Sequence, residues 1–215
     1  MKRLVLPRLY VILDAALLAI PETECAQRLV AAGVRLLQYR NKRASARELF
    51  ASSKRLSALL IPQGVTFVVN DRADVAMAAD ASGVHVGQED LGVEAARSVI
   101  GAGKLLGVST HNLGQFKDAA ATSADYVALG PIFSTSTKAN PDPVVGIELI
   151  RQVRSLTDKP IVAIGGITLE RAAEVIHAGA DSVAIISDIL LAPDAAQRAR
   201  QYIELLEAAN HATAV

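Results

Sequence analysis

The sequence predicts an α/β protein, a TIM (β/α)8 barrel, and three observations lead there. Short apolar or β-branched runs alternate with longer Ala-rich amphipathic runs, eight such pairs can be counted, and the short runs are near-continuously apolar. Strands that are apolar on both faces belong in a buried parallel sheet, and eight strand–helix units close into a barrel. The predicted strands are 9–13, 36–39, 66–69, 83–86, 105–108, 126–129, 161–164 and 182–186. Amphipathic periods place helices over 22–32, 45–60, 72–79, 92–101, 112–121, 145–156, 168–178 and 193–208. A doubly wound open sheet is the alternative. It normally carries fewer units and a glycine-rich first turn, whereas Leu13-Asp14-Ala15-Ala16 follows strand 1 here.

Gly33, Gly64, Gly103 and Gly179 each fall between a helix and the next strand, where a glycine can close the last helical turn. No linker or charge block divides the 215 residues, so residues 1–215 are expected to form a single domain, with its core at about 9–207 and a frayed tail from Ala208. Half of the chain is hydrophobic (51%), ample for one core. Its 22 basic and 22 acidic residues balance, which excludes a global field for nucleic acid or an anionic membrane; any affinity for phosphate must be local. Cys25, the only cysteine, lies in an apolar helical period and reads as a buried side chain in a reducing compartment. Arg8 and Asp14 interrupt the apolar N-terminal stretch, which reads as a strand rather than a signal peptide, and no uncharged segment is long enough to span a membrane. A soluble, cytoplasmic protein is expected, with self-association left open.

In such a barrel the chemistry gathers at the C-terminal strand ends. Strand 2 ends in Gln38-Tyr39-Arg40-Asn41-Lys42, and a period of two puts Gln38, Arg40 and Lys42 on one face. Two cations in one mouth suit a pyrophosphate, Arg as a planar fork and Lys as a point charge; alternatively they pair with carboxylates at the rim. Asp71 and Asp90 end neighbouring strands, which lie roughly 4.8 Å apart. They can share Mg²⁺, which takes one or two carboxylates and completes its shell with water and phosphate. The plainer alternative is that Asn70, Asp71 and Asp90 cap the following helices.

Gly165-Gly166 before Thr168 lets backbone approach a ligand at a helix N-terminus and, with Ile186-Ser187, points to a separate monophosphate pocket. Strand 6 leaves through the loop Gly130-Pro131-Ile132-Phe133-Ser134-Thr135-Ser136-Thr137-Lys138, whose hydroxyls and ammonium suit a phosphorylated ligand or simply a solvated loop. Its proline-flanked character also suggests a lid that closes on substrate. His85 alternates with Val84 and Val86 and reads as an interior, hydrogen-bonded histidine; His111, at a strand end, reads as an acid or base or as a helix cap.

These residues, in this order, resemble the thiamine phosphate synthase family. The matching stretches are Leu9-Tyr10-Val11-Ile12-Leu13-Asp14, Gln38-Tyr39-Arg40-Asn41-Lys42, Asn70-Asp71-Arg72, Gly83 through Asp90, Gly107-Val108-Ser109-Thr110-His111, Gly130 through Lys138, Ala163 through Ile167 and Ala180 through Ser187, together covering about residues 9 to 190. The resemblance implies a TIM barrel that joins 4-amino-2-methyl-5-hydroxymethylpyrimidine diphosphate to a thiazole phosphate or its carboxylate, releasing pyrophosphate with Mg²⁺. It implies that Gln38, Tyr39, Arg40, Asn41, Lys42, Asn70 and Lys138 hold the pyrimidine diphosphate, with Ser109 beside the reacting ring. It assigns Asp71 and Asp90 to the metal, Thr135, Ser136, Thr137, Gly166, Ile186 and Ser187 to the thiazole phosphate, and catalysis to Ser109, Lys138 and Arg40. Asn41 departs from the acidic residue common in the family. Three rivals are weighed against this: the thiazole tautomerase relatives, which would use His111; a Schiff-base aldolase, for which Lys104 and Lys159 precede their strands and fall on the wrong face; and a non-catalytic thiamine-phosphate binding module.

Overall fold

The computed structural model describes residues 4–135 and 142–211. Eight parallel strands close in sequence order into a barrel: β1 (Leu9–Asp14), β2 (Leu36–Arg40), β3 (Thr66–Asn70), β4 (Gly83–Val86), β5 (Leu105–Thr110), β6 (Tyr126–Leu129), β7 (Ile161–Ile164) and β8 (Ser182–Ile185). Outside them lie α1 (Glu22–Ala31), α2 (Ala46–Leu60), α3 (Ala73–Ala78), α4 (Val93–Ile100), α5 (Leu113–Ala120), α6 (Gly146–Arg154), α7 (Leu169–His177), α8 (Ser187–Leu190) and α9 (Ala195–His211). Each predicted strand and helix is present within a few residues. One α-helix was not expected, the single turn α8 directly after β8, nor were the short 3-10 turns at Ala15–Leu17 and Ile61–Gln63. The final helix also runs to His211, past the point where fraying was expected.

Alternation along each strand sorts the side chains into two cores. On β1, Leu9, Val11 and Leu13 face the helices, while Tyr10 and Ile12 fill the barrel with Leu36, Val68, Tyr126, Ala128, Val162 and Ala184. The interior is therefore packed, not a pore. Gly107 makes room for one of its two tyrosines: a Cβ there would lie 2.0 Å from the Tyr126 ring, so only glycine lets that ring cross the barrel.

The helices are bounded by local chemistry. Ser45 and Glu48 form a reciprocal capping box at the start of α2, and Asn112 accepts the Gln115 N–H at the start of α5. Gly33, Gly64 and Gly179 take positive φ between helix and strand as expected, but after α4 the left-handed turn falls at Gly101 rather than Gly103. Cys25 is buried. Among the described residues no helix is long and apolar enough to cross a membrane.

Candidate active site

The C-terminal strand ends surround a cavity of about 780 Å³. Gln38, Arg40, Asn70, His85 and Ser109, from β2 to β5, form one wall. Gly165, Gly166, Thr168, Ile186 and Ser187, from the ends of β7 and β8, form the facing wall, with His111, Gly130 and Thr135 between. Alternation explains the first wall: Gln38 and Ser109 lie on the inward register of their strands, two residues and one residue before the strand end. Ser136, Thr137 and Lys138, and most of the expected lid, lie outside the described residues.

Both strand 2 cations are paired with carboxylates, the plainer of the two sequence readings. Arg40 Nη1 donates to Asp14 Oδ2 across the register that sets Asp14 beside Arg40. Asp14 is only 3% exposed, and its Oδ1 also accepts the Ala16 N–H at 3.0 Å. Lys42 Nζ pairs with Asp71. The Asp71 carboxyl in turn meets Asp90, whose Oδ2 accepts the Gly87 N–H at 2.7 Å. Burial, and then the neighbouring Asp90, push Asp71 above the usual carboxylate range, with Lys42 pulling the other way. Burial also works against Asp90, but its hydrogen bonds from Asp71 and the Gly87 N–H hold it low. With opposite shifts, Asp90 gives up its proton before Asp71, and the two titrate as a pair through the contact between them.

That is also what a divalent cation would replace. Neither carboxyl caps a helix: α3 is entered through Arg72 and α4 through Gly92, both without a side-chain cap. Asp71 sits at φ 65, a strained position for a residue whose only task is to turn the chain. Among the described residues no group of three or more His, Cys, Asp and Glu could hold a metal, so an ion at this pair would draw its remaining ligands from water and substrate.

Two expected binding residues point elsewhere. Tyr39 is on the outward register of β2, buried against the helices, and its side chain does not line the cavity. Asn41 folds back into its own turn, its Oδ1 accepting the Arg43 and Ala44 N–H groups at 3.1 Å each. Contacts from this pair to a ligand would be made by backbone.

On the facing wall, Gly165 and Gly166 take φ 98 and 63. A Cβ on Gly166 would stand 2.3 Å from the Ser134 carbonyl oxygen, so the turn after β7 lies against the segment after β6. Gly166→Ala is expected to destabilise the fold by about 1–3 kcal/mol. Urea unfolding checks this, and an unchanged midpoint would show that the two segments separate freely.

Three contributors were missed in the sequence reading. Asp14 was read only as a charge interrupting the apolar N-terminal stretch, although it is the buried counter-ion of Arg40. Arg171 lines the cavity from the first turn of α7, its guanidinium 4.6 Å from the Phe133 ring centre; a cation just after Gly165-Gly166 was the available signal. His85 is interior, as expected, but also lines the cavity and bonds Ser109, and burial brings its pKa down to about 4. His111 does not cap α5; its Nδ1 lies 2.6 Å from the Gly130 carbonyl oxygen. Lys104 and Lys159 bond backbone carbonyls of Ala81 and Thr122, among the loops leading into the strands.

Comparison with known proteins agrees with this geometry. The family model described as thiamine monophosphate synthase matches residues 9–189. A thiamine-phosphate synthase from Koribacter versatilis is 53% identical over 94% of this chain and 96% of its own length. One from Chloroflexus aurantiacus is 44% identical over 90% of each chain. The solved thiamine phosphate pyrophosphorylase from Pyrococcus furiosus superposes with a TM-score of 0.85 at 33% identity, over 94% of this chain and 96% of that one. With the matched region running from the first residue of β1 into α8, the chain belongs to the thiamine monophosphate synthase family.

Proposed function

We propose that the chain is a transferase that condenses 4-amino-2-methyl-5-hydroxymethylpyrimidine diphosphate with thiazole phosphate, or its carboxylate, to give thiamine phosphate and pyrophosphate. The observation that carries this reading is one cavity with two unlike walls. Arg40 lines the first wall and, with Lys42 and the carboxylate pair of Asp71 and Asp90 outside the lining itself, suits a diphosphate with a divalent ion. Glycine turns leading into α7 suit a monophosphate. Ser109 lies in the first wall, where the pyrimidine ring would sit.

In the reaction, the C–O bond to the diphosphate breaks with both electrons leaving on pyrophosphate. The thiazole nitrogen lone pair then forms the new C–N bond to the exposed methylene. Arg40, kept on Asp14 through Nη1, offers its other N–H groups to the phosphate oxygens, Lys42 turns to them from Asp71, and together they disperse the charge that builds there. Lys138 joins them, Gln38 and Asn70 orient the ring and first phosphate, and Tyr39 and Asn41 offer backbone. Thr135, Ser136, Thr137, Gly166, Ile186 and Ser187 hold the thiazole phosphate in line with the methylene, which converts a collision of two substrates into a local step. Asp71 and Asp90 fit Mg²⁺, which when bound supplies further neutralisation of the pyrophosphate. No protein nucleophile is required. Incubation of the protein with both substrates and Mg²⁺ is expected to yield thiamine phosphate; no product with either thiazole form would refute the reading.

A further inference from the structure

Five polar side chains from five strands hydrogen-bond end to end across the barrel. Gln38 Nε2 donates to Tyr10 Oη at 2.8 Å, and Tyr10 Oη lies 3.1 Å from Tyr126 Oη. Tyr126 Oη is 2.9 Å from His85 Nδ1, and His85 Nε2 is 2.8 Å from Ser109 Oγ. The two ends, Gln38 and Ser109, line the cavity, while Tyr10 and Tyr126 lie beneath it at 1% and 0% exposure.

Each hydroxyl has one proton to give, so the direction of the first bond sets all the others. Tyr10 accepts from the Gln38 amide and spends its proton on Tyr126. Tyr126 then spends its own on His85 Nδ1. An imidazolium would donate to Tyr126 as well, leaving that hydroxyl accepting twice with its own proton unplaced, and burial disfavours the charge. The ring is therefore neutral, carries its proton on Nε2 and donates to Ser109 Oγ. The Ser109 proton is left for the cavity.

We propose that this directed chain fixes Ser109 as a hydrogen-bond donor to a ring nitrogen of the pyrimidine substrate, with Tyr10, Tyr126 and His85 as positioning residues. The proposal rests on the cavity being a pyrimidine diphosphate site. A ring nitrogen is an acceptor and needs a donor. A neutral hydroxyl orients the ring without protonating it, and protonation would oppose the positive charge that develops at the methylene. The opposite polarity, with the Gln38 carbonyl at Tyr10 and the His85 proton on Nδ1, would turn the Ser109 proton inward and leave the cavity only an acceptor.

Two measurements on the full chain decide it. Nitrogen-15 histidine spectra without substrate, with His85 assigned from its loss in His85→Asn, are expected to show the neutral Nε2–H tautomer. An Nδ1–H tautomer would overturn the proposal. Tyr126→Phe deletes one link at nearly constant volume. It is expected to raise KM for the pyrimidine diphosphate about tenfold, the worth of one hydrogen bond, with KM for thiazole phosphate within twofold. Loss of kcat with both KM values unchanged, or equal rises for both substrates, would overturn the relay. If Tyr126→Phe does not fold, Tyr10→Phe interrupts the same chain one link earlier and is read in the same way. The spectrum needs no substrate, so absence of product from the unaltered chain would refute the synthase reading while the tautomer still decides the direction of the chain.

Discussion

Asp71→Asn is expected to lower kcat by about 100- to 1,000-fold, the range for removing one preorganised electrostatic group from a charge-developing site, while the barrel stays folded. Asparagine is the informative replacement because it keeps the shape of aspartate and tolerates left-handed backbone, and Asp71 sits at φ 65. Alanine would mix backbone strain with loss of charge. The substitution also frees Lys42, whose carboxylate partner is Asp71. Any gain in diphosphate attraction from that lysine works against the predicted loss, so a large fall in turnover is a demanding result. Steady-state rates across an Mg²⁺ titration, with circular dichroism to confirm folding, check it. Turnover within threefold of the unaltered protein would remove Asp71 from the metal site.

Arg40→Ala is expected to destabilise the protein by about 3–5 kcal/mol, because it leaves the Asp14 carboxylate buried with its charge unpaired. That is a large share of the total stability of a typical domain. The test is a comparison with the double variant Asp14→Asn/Arg40→Ala. Removing the stranded charge should recover most of the lost stability, since the buried amide still accepts the Ala16 N–H. Turnover should stay low in both, because the guanidinium assigned to the diphosphate is missing from each. Equal urea midpoints for the single and double variants would show that Asp14 is neutral or hydrated once Arg40 has gone. Recovery of turnover in the double variant would show that Arg40 serves only Asp14.

The barrel was legible because a buried parallel strand advertises itself. Runs such as Tyr126–Leu129 and Ile161–Ile164 are apolar on both faces, and the observed bounds match those read from sequence. Helix ends were legible where a side chain makes the cap, as at Ser45 and Asn112. The four-residue α8 was not, since one turn is too short to express a period. At the site, alternation correctly put Gln38 and Arg40 at the cavity, and the same rule should have turned the Tyr39 side chain away. The Arg40–Asp14 and Lys42–Asp71 pairs depend on register and rotamer, which composition and spacing do not encode. Nor does any local pattern announce that Tyr10, Tyr126 and His85 meet, because they come from β1, β6 and β4 and touch only once the barrel has closed.

The two tyrosines that floor the cavity also govern traffic. With Tyr10 and Tyr126 packed across the interior among Leu36, Val68 and Val162, the described residues close the barrel beneath the cavity and leave it open at the C-terminal strand ends. What reacts there enters at those strand ends, and both products leave by the way the substrates came. A spent pyrophosphate still held at the wall of Arg40 and Asn70 therefore bars the next pyrimidine. Departure and arrival compete for one threshold, and the rate of clearing it becomes as much a property of the protein as the rate of the chemistry inside.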